Sequence, residues 1–156
     1  MLFKITSKDT VVPNNSLVYR SDEYSFDVEP PMSGGSTSIL INDLNLEIDY
    51  TGKLLFIWGL CPYLKWVKTE LVQPKFTGGE IVFVPDDPPK KGVSIRLFEQ
   101  KSVFVDKKSG WVYIPLNDCE NTSSITIIQG VVIDIGVNGD LSAIWLRPNK
   151  LPLLID

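Results

Sequence analysis

Apolar residues in this chain come in short runs broken by Gly, Pro, Asn and Asp, not in helical stripes. Leu44, Leu46, Ile48 and Tyr50 alternate with Asn45, Glu47 and Asp49, and this period of two predicts a strand with one wet face. Thr51-Gly52 then turns the chain into residues 54–60, apolar on both faces and expected in the middle of a sheet. The strand reading at 44–50 extends back to Thr37, with a bend near Asn42-Asp43, and further strands are predicted at 17–19, 24–28, 80–84, 93–98, 102–105, 111–116, 124–128, 131–137 and 141–146. Asn138-Gly139 reads as a two-residue hairpin turn, because both central positions of a type I′ turn need positive φ. Only residues 63–71 carry a helical spacing, with Leu64, Val67 and Leu71 at i, i+3 and i+7, enough for a turn or two.

Composition sharpens this picture. The chain holds 15 Ile and 15 Val but one Ala, Ala143, a balance that favours strand over helix. A length of 156 residues suits a single domain with a core of its own. There is no His, which removes Ser-His-Asp and Cys-His machinery and every His-ligated metal site. Net charge is −4, and the only basic pairs are Lys90-Lys91 and Lys107-Lys108, which argues against a nucleic-acid partner. The longest apolar run, 54–61, has eight residues, far short of the ~20 a membrane span needs. The first residues lack a signal peptide's apolar stretch, so the expected location is cytoplasmic, with Cys61 and Cys119 as free thiols.

Offsetting the chain by 87 residues aligns it with itself. Ile41, Ile48, Gly52, Leu54, Ile57 and Trp58 fall on Ile128, Ile135, Gly139, Leu141, Ile144 and Trp145, six identities in eighteen positions. Upstream, Val18, Tyr24 and Phe26 fall on Val105, Trp111 and Tyr113 without a gap. The expectation is a duplicated β-meander, with copies at 17–61 and 104–148 and an insertion at 63–101 carrying its own hairpin. An apolar sheet face must be covered, and two copies about a pseudo-two-fold axis could cover each other. The fold class expected is all-β: a sandwich or partly closed barrel of antiparallel strands, with little helix.

The second copy has a recognisable order of short motifs. Phe104-Val105-Asp106 leads to Trp111-Val112-Tyr113-Ile114, then Val131-Val132-Ile133-Asp134, then Asn138-Gly139-Asp140-Leu141-Ser142-Ala143-Ile144-Trp145. Over about 45 of the 156 residues this resembles a family of short bacterial β-meander proteins of unknown function. Where that family has Gly before the Ile and Glu after it, this chain has Ala143 and Trp145, and Phe56 and Trp58 in the first copy. The resemblance implies a meander module and carries no catalytic residues.

Candidate chemistry is sparse. Period two from Leu54 and Leu141 places Trp58 and Trp145 on the same strand face as those leucines, as core residues or as an aromatic platform for a sugar, peptide or partner. Glu47 and Asp134 read as solvated carboxylates; a glycosidase would need such a pair about 5–10 Å apart. No calcium loop or phosphate-cradling glycine loop matches its pattern, and no cofactor or metal is expected. Ala143 is much smaller than its counterpart Phe56, so the space beside it is expected to be filled by an aromatic such as Phe76 or Phe83, and any ligand pocket is expected on that side, bordered by Trp145 and a cationic Arg147. Residues 84–92, with Asp86, Asp87, Lys90 and Lys91 among prolines, read as an exposed recognition tip or a stiff connection. The leading functional expectation is a non-enzymatic binding protein for a protein partner, immunity- or antitoxin-like, since acidic surfaces speed capture of basic partners. The alternative is a carbohydrate-binding module or glycan-acting hydrolase using the tryptophans and carboxylates.

Overall fold

Among the described residues fourteen strands account for nearly all the regular structure, in keeping with the β-branched composition. The computed structural model describes residues 2–87 and 90–154. The strands are β1 (Leu2–Lys8), β2 (Ser16–Arg20), β3 (Ser25–Glu29), β4 (Thr37–Ile41), β5 (Leu44–Ile48), β6 (Leu54–Leu60) and β7 (Val67–Lys68). There follow β8 (Thr77–Val84), β9 (Ser94–Arg96), β10 (Phe104–Val105), β11 (Val112–Pro115), β12 (Ser123–Ile128), β13 (Val131–Ile135) and β14 (Leu141–Leu146). The helical spacing at 63–71 produces only a 3-10 turn, Tyr63–Lys65, whose side chains are not buried; without an apolar face to bury, it goes no further.

Two mixed sheets form a sandwich and do not close into a barrel. The six-stranded sheet runs β2-β3-β6-β5-β4-β9 and the eight-stranded sheet β1-β8-β12-β13-β14-β11-β10-β7. The expected hairpin within 63–101 does not close. Instead β8 pairs with β1 and runs parallel to β12 in one sheet, while β9 runs parallel to β4 in the other. β7 likewise runs parallel to β10. Strands of the 63–101 segment thus extend both sheets and make them mixed, where antiparallel pairing alone was expected.

The order β2-β3-β6-β5-β4 in one sheet recurs as β10-β11-β14-β13-β12 in the other. β5 and β6 keep their register in β13 and β14: Glu47 faces Phe56 as Asp134 faces Ala143, and Ile48 faces Leu54 as Ile135 faces Leu141. Each hairpin therefore carries the same bulge, at Leu55 and at Ser142. The turns match too. Asp49 N–H donates to the Lys53 carbonyl at 3.0 Å and Gly136 N–H to the Asp140 carbonyl at 2.9 Å. Gly52 and Gly139 then take φ of +94° and +90°. Asn138 has no positive φ, so the turn is a three-residue loop with one left-handed glycine instead of the two-residue type I′ turn expected.

Between the sheets lies one continuous core. Leu54, Ile57, Leu141 and Ile144 are all at most 1% exposed within it, joined by Leu17, Phe26, Ile39, Ile114 and Ile133. β1 and β8, which the period-two reading missed or shortened, fasten the two β-hairpin turns: Phe3 N–H donates to the Gly139 carbonyl and Phe83 N–H to the Gly52 carbonyl, each at 2.8 Å. Phe3 and Phe83 are themselves register partners, with ring centroids 5.0 Å apart.

Candidate functional site

The bulges at Leu55 and Ser142 decide where the tryptophans point. One extra residue inverts the alternation of faces, so Leu54 and Leu141 turn inward while Trp58 and Trp145 turn outward. The expectation that each Trp shares a face with its Leu is corrected by that inversion, which periodicity counted across an unrecognised bulge cannot show. Neither Trp belongs to the core between the sheets.

Each outward Trp donates its indole N–H to the carboxylate across the hairpin: Trp58 Nε1 to Glu47 Oε1 at 2.8 Å and Trp145 Nε1 to Asp134 Oδ2 at 2.9 Å. The surroundings differ. Trp58 is 42% exposed and Glu47 half-buried, whereas Trp145 and Asp134 are 7% and 8% exposed. Asp134 also accepts a hydrogen bond from Ser124 Oγ at 2.5 Å. The expected solvated Asp134 is thus a buried acceptor, hidden because its outer face has been covered. Glu47 and Asp134 stand on opposite outer faces of the sandwich, too far apart to serve one bond as a catalytic pair.

The cover over the eight-stranded sheet is the segment leading into β8. Leu71 and Phe76 lie on a cluster of Trp111, Val132, Trp145 and Tyr113, with Phe76 edge-on to Trp111 at 6.0 Å and Tyr113 4.3 Å from Trp145. Asp106 Oδ2 accepts from Leu71 N–H at 3.0 Å and pins this strap. The amides of Leu71 and Lys108 hold the Asp106 carboxyl below its ordinary range, outweighing desolvation.

Ala143 is 1% exposed between its cross-strand partners Pro115 and Asp134. Those two partners, with Tyr113, Asn117, Asp118, Cys119 and Ser142, line a shallow groove of about 420 Å³. A separate cavity of about 300 Å³ lies at the far end of the same row, lined by Arg147, Trp111, Phe76, Gln129, Gly130, Pro148 and Asn149. Of the three residues expected around one pocket, the structure puts Arg147 in this cavity and buries Ala143 and Trp145. Sequence reasoning did not single out Trp111 or Gln129; the alignment of Trp111 with Tyr24 was the available signal.

Among the described residues no comparable strap crosses the Trp on the outer face of the six-stranded sheet. Trp58 and Leu60 are 42% and 53% exposed, next to half-buried Phe56, with Asn45 across from Trp58. Tyr24, 40% exposed, stacks on Tyr63 beyond the end of β6. Asp86, Asp87, Lys90 and Lys91 are exposed in the loop after β8, and Pro88 and Pro89 of that loop lie outside the described residues. Gly92 N–H bonds the Ser36 carbonyl at 2.7 Å, and the Thr37 hydroxyl donates to the Val93 carbonyl, fixing the loop's return.

Cys61 and Cys119 are free thiols, one buried and one partly exposed. Burial pushes the Cys61 thiol up to about 11, against the opposing effect of the Trp66 side chain. Burial likewise raises Tyr19, whose hydroxyl donates to the Cys61 carbonyl at 2.8 Å. Among the described residues no group of three or more His, Cys, Asp or Glu could hold a metal ion. No helix among the described residues is long and apolar enough to cross a membrane. No family model matches the chain, and no curated protein is significantly similar to it.

Proposed function

We propose that this is a cytoplasmic, non-enzymatic binding protein that docks a protein partner on the outer face of the six-stranded sheet. The observation that carries the reading is the contrast between the two outer faces. One buries Trp111 and Trp145 under Leu71 and a Phe76 that is itself 42% exposed, while the other leaves Trp58 and Leu60 exposed side by side on β6. Large apolar side chains exposed together on a sheet mark interaction surfaces, and Trp is prominent among residues that dominate binding energy. A net charge of −4 favours a basic partner, as in immunity or antitoxin proteins. The recurring strand order, register, bulge and turn support descent of residues 17–61 and 104–148 from one duplicated meander. In this reading the copies diverged by covering one face and leaving the other for a partner.

The test is affinity capture with the wild-type chain and with a Trp58→Ala/Leu60→Ser variant, at low and high salt. A partner recovered by the wild type, lost by the variant and weakened by salt is the expected result. Recovery of the same proteins by both would remove the docking face from consideration. A second reading, carbohydrate binding, draws on the exposed Trp58 ring held by Glu47 beside Asn45. Titration of Trp58 fluorescence with oligosaccharides separates the two, since a protein-docking face gives no saturable sugar response.

A further inference from the structure

The cavity at the end of β14 presents a different chemistry. Arg147 follows Ala143 and Trp145 along the outward row of the strand, and its guanidinium carbon lies 5.8 Å from the Trp111 ring centroid. Its side chain runs past Gly110, where an added Cβ would sit 3.6 Å from Nε. Its backbone is fixed by the bond from Arg147 N–H to the Gly130 carbonyl at 2.7 Å. Gly130 takes φ of +89°, and any Cβ there would meet the Arg147 carbonyl oxygen at 2.4 Å. The backbone of Arg147 is therefore held in place, while its exposed side chain rests beside Gly110 and Trp111.

What surrounds it lacks a counter-charge. No carboxylate lines the 300 Å³ cavity, and Arg147 forms no ion pair among the described residues. The carboxamides of Gln129 and Asn149 are on the rim, and the exposed Phe76 and the buried Pro148 supply apolar walls. Trp111, 2% exposed, forms the buried floor beneath Arg147; its indole N–H has no acceptor, as is also true of Trp66 elsewhere in the fold. Guanidinium groups pair with planar carboxylates and with phosphates through two parallel bonds, and stack on aromatic faces at the same time.

We propose that this cavity binds a small anion with a flat apolar body, an aromatic carboxylate or an aromatic phosphate. The anionic end pairs with Arg147 and takes further bonds from Gln129 and Asn149, while the ring packs against Phe76 and Pro148. The cavity lies on the outer face opposite Trp58, so it is independent of the partner surface proposed above.

The chain has four tryptophans, which give four indole N–H resonances, and a Trp111→Phe variant identifies the one in question. The native protein would be titrated separately with benzoate, phenyl phosphate, inorganic phosphate and benzylamine. The expected result is a saturable shift of the Trp111 resonance with benzoate or phenyl phosphate, the tighter of the two naming the kind of anion. Arg147→Gln should weaken that binding by about tenfold or more, with the Trp58 and Trp66 resonances unmoved as proof of an intact fold. Gln129→Ala, at an exposed side chain, should weaken it less. No shift from either aromatic anion, equal binding by Arg147→Gln, equal binding of inorganic phosphate, or equal binding of benzylamine would each overturn the proposal.

Discussion

Replacing Asp134 by Ala should cost far more stability than replacing Glu47 by Ala, although the two make the same hydrogen bond to equivalent tryptophans. Asp134 accepts from Trp145 Nε1 at 2.9 Å and from Ser124 Oγ at 2.5 Å, and both Asp134 and Trp145 are buried. Losing the carboxylate leaves the buried Trp145 N–H without an acceptor, at about 1–3 kcal/mol, and takes a bond worth about 1 kcal/mol from the half-buried Ser124 hydroxyl. Relief from burying a charge offsets part of this, leaving a net loss of up to about 3 kcal/mol. For a domain of this length that lowers the Tm by up to about 6–12 °C. At Glu47 the partner Trp58 is 42% exposed, water replaces the lost acceptor, and the expected cost is about 0–1 kcal/mol. Urea unfolding followed by far-UV circular dichroism measures both variants. Double-mutant cycles with Trp145→Phe and Trp58→Phe isolate the pairs, with an expected coupling of about 1.5–3 kcal/mol for the covered one. Equal losses at Asp134 and Glu47, or a larger coupling for the exposed pair, would refute the claim that covering the face gives the bond its value.

Other outcomes follow from the same geometry. Gly52→Ala should destabilise by about 2 kcal/mol or more and Gly139→Ala by about 1 kcal/mol. Both need a positive φ, but the new Cβ meets the Phe83 carbonyl oxygen at 2.5 Å in the first and the movable Leu2 Cδ2 at 2.9 Å in the second; thermal unfolding of the pair gives the order. Cys61 keeps its proton in the fold up to about pH 11 against an ordinary value of 9.0, so the unfolded chain ionises first. Its contribution to stability is complete below pH 9.0 and is lost as the pH rises to about 11, a decline that Cys61→Ser should shrink in pH-dependent denaturation. In the native protein a thiol reagent should label Cys119 alone, with Cys61 reacting only after unfolding. Asp106→Ala should free the strap at Leu71 and expose Trp111 and Trp145, shifting tryptophan emission to longer wavelength. Acid should do the same in the wild type: because the folded Asp106 carboxyl lies below its ordinary 3.8, its contribution is present above that value and lost as the pH falls through the lower one.

Much of the fold was written in local pattern. The alternation through 44–50 and the apolar run 54–60 became paired neighbours β5 and β6, because a half-buried strand shows its period directly in its side chains. The self-alignment at 87 residues named the strands that recur in the same order in each sheet. It was blind to β1, and it could not show that β8 and β9 part company. Strand pairing depends on which edges are free in space, and no spacing between Thr77 and Arg96 records that β12 and β4 offer those edges.

The candidate sites depended still more on tertiary structure. Arg147 was expected at a pocket beside Ala143 and Trp145, whereas the cavity it lines takes its walls from Phe76, Trp111 and Gln129, which are distant in sequence. Composition and periodicity determined that the chain would be all-β and where most strands would run, because side-chain size and alternation act locally. Only the fold decided which tryptophan is buried. Two bulged hairpins of the same register point Trp58 and Trp145 outward alike, and the strap from Leu71 to Phe76 crosses only one of them, a difference made by long-range packing and not by either residue's neighbours.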